Sequence, residues 1–75
     1  MLTTEVVAKI EYIISKLQEK GYEPYDQLTC YVMLHGNENY ITKHGDARNI
    51  IKGLDINDIR EYLDRYDINR NKIKE

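Results

Sequence analysis

Three side chains of the sequence could act as a nucleophile, a base or a metal ligand. Cys30 could be a nucleophile, with His35 or His44 as the base that removes its proton. A cysteine enzyme also needs an orienting group and an oxyanion site. Cys30 stands among apolar neighbours in a predicted helix, where a thiol behaves as a small hydrophobic side chain. We therefore interpret Cys30 as structural and predict no catalytic residue and no enzymatic activity.

The same three side chains could ligate a metal ion, but their spacing contains neither C-x-x-C nor H-x-x-x-H. The acids within 55–58 resemble the start of a calcium loop. Such a loop requires Gly and Glu at its sixth and twelfth positions, where this chain has Arg60 and Tyr66. The four glycines are isolated, so no Gly-rich phosphate loop is present. We predict no metal ion and no cofactor.

A basic stripe along the third predicted helix could bind nucleic acid. It consists of Lys43, His44, Arg48 and Lys52. The third predicted helix and the helix before it would imitate a helix-turn-helix. The linker between them, however, is far longer than the usual turn of about three or four residues. The net charge of −2, from 11 basic and 13 acidic residues, also disfavours binding to phosphates. A small helical nucleic-acid-binding protein remains the alternative hypothesis, and a solvated helix face is the simpler interpretation.

Arg48 has two further interpretations. It lies near Tyr40 and His44 in sequence, and an arginine among tyrosines can stack on rings and bridge carboxylates or backbone carbonyls. The other interpretation is an ordinary surface arginine. The sequence leaves both open.

The length and composition predict one small domain with a marginal core. A chain of 75 residues buries only about 60% of its unfolded surface, so tight helix packing or a partner chain is expected. The apolar fraction of 41% and the charged fraction of 32% are typical of a soluble globular domain. Seven tyrosines without any Trp or Phe indicate a partner surface.

The sequence also predicts a cytoplasmic protein that does not insert into a membrane. No apolar run approaches the roughly 18 residues of a membrane span. The N-terminal residues lack the pattern of a signal peptide. The single cysteine cannot form an internal disulfide, and small secreted domains usually depend on several.

Apolar periodicity and capping signals predict the first two helices. The first spans about 4–20, with Thr3 or Thr4 as its cap and Gly21 in a left-handed conformation at its end. Its apolar face comprises Val6, Ile10, Ile13, Ile14 and Leu17. Pro24 opens the second helix, which spans about 24–35 and ends at Gly36. Its apolar side comprises Leu28, Tyr31, Val32 and, as an open question, His35.

Two further helices follow a linker that Tyr40 and Ile41 fix to the core. The third begins at Thr42 or His44 and ends at Gly53. Asp55 caps the fourth, with Asp58 as capping-box acid and Leu54 against Ile59 as a hydrophobic staple. The apolar faces are Ala47, Ile50, Ile51 and Leu54 in the third helix, and Ile59, Leu63 and Tyr66 in the fourth.

The predicted fold class is all-α, a compact bundle of four or five short helices. Residues 1–66 form the single helical domain, and the polar tail 67–75 is expected to fray. No segment of useful length alternates with period two, so no sheet is expected.

Several of these residues form a pattern that resembles the IreB family of small regulatory phosphoproteins. The resemblance covers residues 15–66, through the elements GY-x-P-x-x-Q, Y-I and DAR-N in the family's order. The matching residues are Gly21, Tyr22, Pro24, Gln27, Tyr31, Gly36, Tyr40, Asp46, Ala47 and Arg48. The resemblance implies a compact, all-helical, dimeric protein that is not an enzyme.

The resemblance also implies a regulatory role. The characterised family member is a substrate of a transmembrane Ser/Thr kinase and a negative regulator of cephalosporin resistance, within the cell-envelope stress response. Its phosphorylated threonines precede the first helix, where this sequence has only Thr3 and Thr4. The expected partners are therefore a second copy, the kinase and a downstream protein, and the chain is identified as a divergent member without the usual N-terminal extension.

Overall fold

The computed structural model describes residues 2–67 and 72–73, and helices dominate them. The helix bounds are α1, Thr4–Glu19; α2, Pro24–Met33; α3, Ala47–Lys52; and α4, Ile56–Arg65. Two 3₁₀ turns, Glu38–Tyr40 and His44–Asp46, lie between α2 and α3. The predicted all-α class is confirmed.

A short strand pair follows α4, which the sequence analysis did not predict. Strand β1 (Tyr66–Asp67) runs antiparallel to β2 (Lys72–Ile73), with two residues on each side. Such a short pairing leaves no period-two pattern to detect. The remainder of the predicted tail 67–75 lies outside the described residues, so the domain boundary at residue 66 stays a prediction.

One apolar core joins the four helices and the connection between α2 and α3. Its fully buried large side chains are Ile10, Ile13, Leu17, Leu28, Ile41, Ile51 and Ile59. All of them except Ile41, which lies in the connection, are on the apolar faces that helical spacing predicts. Tyr62, only 3% exposed, also belongs to the core, although the predicted face of α4 omitted it.

The predicted N-terminal caps are confirmed. Thr3 caps α1, because its Oγ1 accepts a hydrogen bond from the Val6 amide at 3.1 Å. Asp55 caps α4 by accepting from the Asn57 amide at 2.8 Å. Pro24 occupies the first turn of α2, where its missing N–H group leaves no bond unmade.

Left-handed residues set the C-terminal ends of α1 and α2. Gly21 has φ +81°, and the Tyr22 amide donates to the Leu17 carbonyl at 3.0 Å, so the predicted left-handed cap is confirmed. Helix α2 ends at Met33, two residues before the prediction, because His35 already has φ +58°. His35 is exposed and is therefore no part of the apolar side of α2.

The third helix begins later than the sequence predicts. Gly45 and Asp46 have φ +61° and +65°, so regular α-helix can start only at Ala47, not at Thr42 or His44. Gly53 is the C-terminal cap of α3, as predicted. Because α2 ends at Met33, residues 34–46 form a connection that carries two 3₁₀ turns.

Substitution of Gly21 by alanine should lower the free energy of unfolding by about 1 kcal/mol, because a Cβ atom is unfavourable at positive φ. Open space surrounds this position, so the expected loss comes from the backbone alone. Gly53 is the matched control, since its φ of −84° suits any residue. Gly53→Ala should be neutral or stabilise by about 0.4–1 kcal/mol. Urea unfolding of both variants checks the pair, and equal losses would contradict the left-handed cap.

Candidate functional site

The connection between α2 and α3 is fixed to the core at Tyr40 and Ile41, as predicted. Ile41 is fully buried, and Tyr40 packs partly buried against the core. Arg48 on α3 donates a hydrogen bond from Nε to the Ile41 carbonyl oxygen at 2.9 Å. Arg48 therefore bridges to a backbone carbonyl, which is one of the two interpretations that the sequence left open.

Helix α1 holds the same connection from the other side. Tyr12 Oη donates to the Gly45 carbonyl at 2.8 Å, and His44 Nε2 lies 2.7 Å from Glu19 Oε1. Lys16 Nζ lies 3.1 Å from Glu19 Oε2 and 5.1 Å from the centroid of the Tyr12 ring. The hydrogen bond from His44, followed by that from Lys16, lowers the pKa of Glu19. The turn before α3 is thus held by polar contacts with α1.

The backbone at Gly45 and Asp46 admits few other residue types. A Cβ atom on Gly45 would lie 2.6 Å from Lys16 Cδ and would also stand at positive φ. Asp46 tolerates its left-handed conformation better than most residues do. Its Oδ1 accepts from Asn49 Nδ2 at 2.7 Å. These contacts give a physical reason for the D-A-R-N order at the start of α3, where Ala47 is fully buried.

A polar cleft, here called the Arg48 cleft, lies between the turn Glu38–Tyr40 and α3. Its volume is about 430 Å³. Its lining residues are Glu38, Lys43, Asp46, Arg48, Asn49 and Lys52. Lys52 Nζ lies 2.7 Å from Glu38 Oε2. The pKa of Glu38 is lowered first by this hydrogen bond and then by the positive charges of Lys52, Arg48 and Lys43. The charges of three cations thus meet in the Arg48 cleft.

The structure divides the predicted basic stripe. Lys43, Arg48 and Lys52 line the Arg48 cleft, whereas His44 pairs with Glu19 on α1. Helix α3 has only six residues, or about 9 Å of length. The geometry resembles a pocket for one anionic group more than a helix face that follows a nucleic-acid groove.

The other family-motif residues form a separate corner between α1 and α2. Gly21 turns the chain, Pro24 is buried and Gln27 is half-buried, while Tyr22 is exposed. None of these residues lines the Arg48 cleft. The motif thus marks two places in the fold.

Tyr31 and Gly36 belong to the core side of the connection. Tyr31 is buried, and a Cβ atom on Gly36 would lie 3.6 Å from its Oη. Burial, and then the charge of Glu38, raise the pKa of Tyr31. Tyr31 therefore belongs to the core, close enough to Glu38 to be affected by its charge, and not to a solvent-facing surface.

Four large apolar side chains on α2 or next to its ends are exposed, and they are here called the apolar surface around α2. Its exposed side chains are Tyr22, Tyr25, Met33 and Leu34. Met33 is 70% exposed and Leu34 49%, although both are large apolar residues. Tyr31 and Tyr62 are buried in the core, so they are not part of the tyrosine-rich partner surface, which stays a prediction.

Thr3 and Thr4 are both exposed at the start of α1. They line a groove of about 310 Å³ together with Leu2, Val7, Arg65 and Tyr66. Thr3 Oγ1 is engaged as the helix cap. A phosphate on either hydroxyl would meet the positive end of the α1 dipole.

The nucleophile and metal ligands considered from the sequence are not brought together. Cys30 is half-buried on α2, His35 is exposed beyond that helix, and His44 pairs with Glu19. Within residues 2–67, no group of three or more His, Cys, Asp or Glu side chains could hold a metal ion. Among the helices of this same segment, none is both long and apolar enough to cross a membrane.

Several residues of the site escaped the sequence analysis. Glu38 lies in the linker before the third predicted helix, where no motif marks it, and its partner Lys52 is distant in sequence. Tyr12, Lys16 and Glu19 recur at intervals of four and three residues. This spacing gives α1 a polar stripe beside its apolar face. The polar stripe could have been detected from the sequence, but the turn at His44 and Gly45 that it contacts could not.

Thr29 offers a stability prediction from an unpartnered hydroxyl. Its Oγ1 is buried without a hydrogen-bond partner among the described residues. Thr29→Val should raise the free energy of unfolding by about 1 kcal/mol. The substitution replaces a buried hydroxyl that lacks a partner by a methyl group and keeps the shape of the side chain. Thr42→Val is the control. It should lower the free energy of unfolding by about 1 kcal/mol, because it removes the hydroxyl oxygen that accepts a hydrogen bond from the His44 amide at 3.1 Å. Thermal unfolding of both measures the contrast, and a destabilised Thr29→Val would refute it.

Comparison with known proteins identifies a family. A family model described as "IreB regulatory phosphoprotein" matches residues 2–73, which is nearly the whole chain. No curated protein matches the sequence. The family match extends beyond the predicted range 15–66 at both ends and includes α1 and its threonines.

Proposed function

We propose a function from the premise that the chain belongs to the IreB family of regulatory phosphoproteins. We propose that it is a cytoplasmic, non-enzymatic regulatory protein whose output is binding to other proteins. The observation that carries this proposal is the apolar surface around α2, where Met33 is 70% exposed. Exposed apolar side chains that adjoin one another are typical of protein-binding sites, and we propose that these four form such a patch.

The first partner that we propose is a second copy of the chain. A small core gains stability when apolar surface is buried in a dimer. Light scattering at micromolar concentration should report a dimer. Met33→Lys should shift it toward monomer, whereas the control Gln18→Lys, at another exposed helix position, should not. A wild-type monomer across this range would refute the dimer.

The second partner that we propose is a transmembrane Ser/Thr kinase that phosphorylates Thr3 or Thr4. Both threonines are exposed, and Arg65 lines the same groove. Arginine and a helix N-terminus both favour a phosphate group. Mass spectrometry after incubation with the host kinase should find phosphate that Thr3→Ala or Thr4→Ala removes. Absence of phosphate, with a control substrate labelled, would refute this site.

In the cell, we propose that the protein negatively regulates the response to cell-envelope stress, including cephalosporin resistance, through an unidentified downstream protein. Deletion of its gene should therefore increase cephalosporin resistance, and expression of the wild-type chain should restore sensitivity. Expression of Met33→Lys should restore less if the α2 surface carries the output. Unchanged resistance after deletion would refute the cellular role while leaving the binding activity open to direct measurement.

A further inference from the structure

The Arg48 cleft holds an arginine that is fixed by its Nε–H group, while the N–H groups of its two terminal nitrogens form no hydrogen bond within the described residues. Arg48 Nε donates to the Ile41 carbonyl at 2.9 Å, and Ile41 is fully buried. A guanidinium fixed at Nε presents its two terminal nitrogens as a fork that fits two oxygens of one acceptor. The rotamer entropy of this long side chain is already lost before a ligand arrives.

Two cations of the cleft form no ion pair with any residue that the structure describes. Lys52 pairs with Glu38, and Asp46 accepts from Asn49. Lys43 and the free end of Arg48 remain, and neither forms an ion pair in the described part of the chain. Three cations against two carboxylates give the lining a net charge of +1. Lys43 and the terminal nitrogens of Arg48 thus match a ligand that carries two negative charges on neighbouring oxygen atoms.

We propose that the Arg48 cleft binds the dianion of a phosphate monoester. The two terminal N–H groups of Arg48 hold two phosphate oxygens, and the Lys43 ammonium pairs with the third. A single carboxylate would satisfy only one of the two free cations. A phosphodiester carries one charge and also fits less well. The monoester can come from a small molecule or from a phosphorylated side chain of another protein.

Substitutions of Glu38 and Lys43 test this proposal, because they should change phosphate affinity in opposite directions. The carboxylate of Glu38 is on the rim of the same cleft and repels an incoming dianion. Glu38→Gln should therefore tighten phosphate binding by about threefold to tenfold, whereas Lys43→Gln should weaken it by about tenfold. A variant that only perturbed the fold would not improve binding. Lys43 is exposed, and Glu38 forms only a surface ion pair with Lys52, which contributes little to stability.

The experiment is a titration of the ¹⁵N-labelled full chain by NMR. The probes are inorganic phosphate, a short phosphothreonine peptide, the same peptide without phosphate, and a single-stranded oligonucleotide. Shifts at Asn49 and at Arg48 Nε with the first two probes support the cleft. Tighter binding of the phosphopeptide assigns the source to a protein, and equal binding assigns it to a small molecule.

Three outcomes would overturn the proposal. One is the absence of shifts at millimolar phosphate, and another is equal binding of the unphosphorylated peptide. The third is preferential binding of the oligonucleotide, which would point to nucleic acid. Lys9→Gln is the matched control, because it removes the same charge from a surface pair on α1 and should not change affinity. The inference does not require phosphorylation of Thr3 or Thr4, so it can fail or hold independently of the kinase proposal.

Discussion

Replacement of Ile41 by alanine should lower the free energy of unfolding by about 2–5 kcal/mol. Ile41 is fully buried, yet it comes from the connection between α2 and α3 and not from a helix. The substitution removes three methyl or methylene groups' worth of packing and leaves a cavity that the surrounding helices fill only partly. For a domain of this size the midpoint of thermal unfolding should fall by about 4–8 °C per kcal/mol.

The control for Ile41→Ala is Ile50→Ala on α3. Ile50 has the same side chain but is only partly buried, so it should lose clearly less stability. Urea unfolding of the two variants gives the comparison directly. Equal losses, or a loss below about 1 kcal/mol for Ile41→Ala, would show that the connection is not anchored in the core.

The anchor at Ile41 also links stability to the proposed binding site. Glu38 and Lys43 lie on either side of Ile41 in the chain, and Arg48 hydrogen-bonds to its carbonyl. These three side chains come from separate turns, so one buried residue sets their relative positions. At temperatures where Ile41→Ala remains folded, it should therefore bind phosphate more weakly than Ile50→Ala does.

The helices of this fold could be predicted because their signals are local. Thr3, Pro24 and Asp55 act within a few residues of their own positions, and Gly21 ends α1 through its own φ. Histidine adopts positive φ only occasionally, so nothing in the sequence marked His35 as the residue that ends α2. The same applies to Asp46, whose left-handed conformation delays the start of α3.

The candidate site could be predicted only in part because its contacts are distant in sequence. The Tyr12–Gly45 hydrogen bond spans 33 residues, and the Glu19–His44 contact spans 25. Periodicity indicates which face of α1 is polar, but not which turn packs on it. Arg48 stood out through its family motif, and its bond to the Ile41 carbonyl follows from the fold. Glu38 had no motif, and only the folded chain brings it to Lys52.

The free energy of unfolding should fall at alkaline pH because of the buried phenol of Tyr62. This side chain is 3% exposed and stacks on Tyr66, with ring centroids 4.5 Å apart. Burial, followed by the charge of Glu11, raises the pKa of Tyr62 to about 12. In the unfolded chain the same phenol titrates near its ordinary value of about 10. Above that value the unfolded state binds fewer protons than the folded one, so stability falls as pH rises.

The loss should begin near pH 10 and be largely complete near pH 12, because the pKa of Tyr62 is about 12 in the folded protein. A difference of about two pKa units corresponds to roughly 3 kcal/mol, which is a large share of the stability of a small domain. Tyr62→Phe keeps the ring in the core and removes the ionisable hydroxyl, so its stability should decline less over this range. Tyr22→Phe is the control, since Tyr22 is 48% exposed and its replacement should not alter the pH dependence. Urea unfolding across this pH range measures all three proteins, and parallel curves for wild type and Tyr62→Phe would show that another group governs alkaline unfolding.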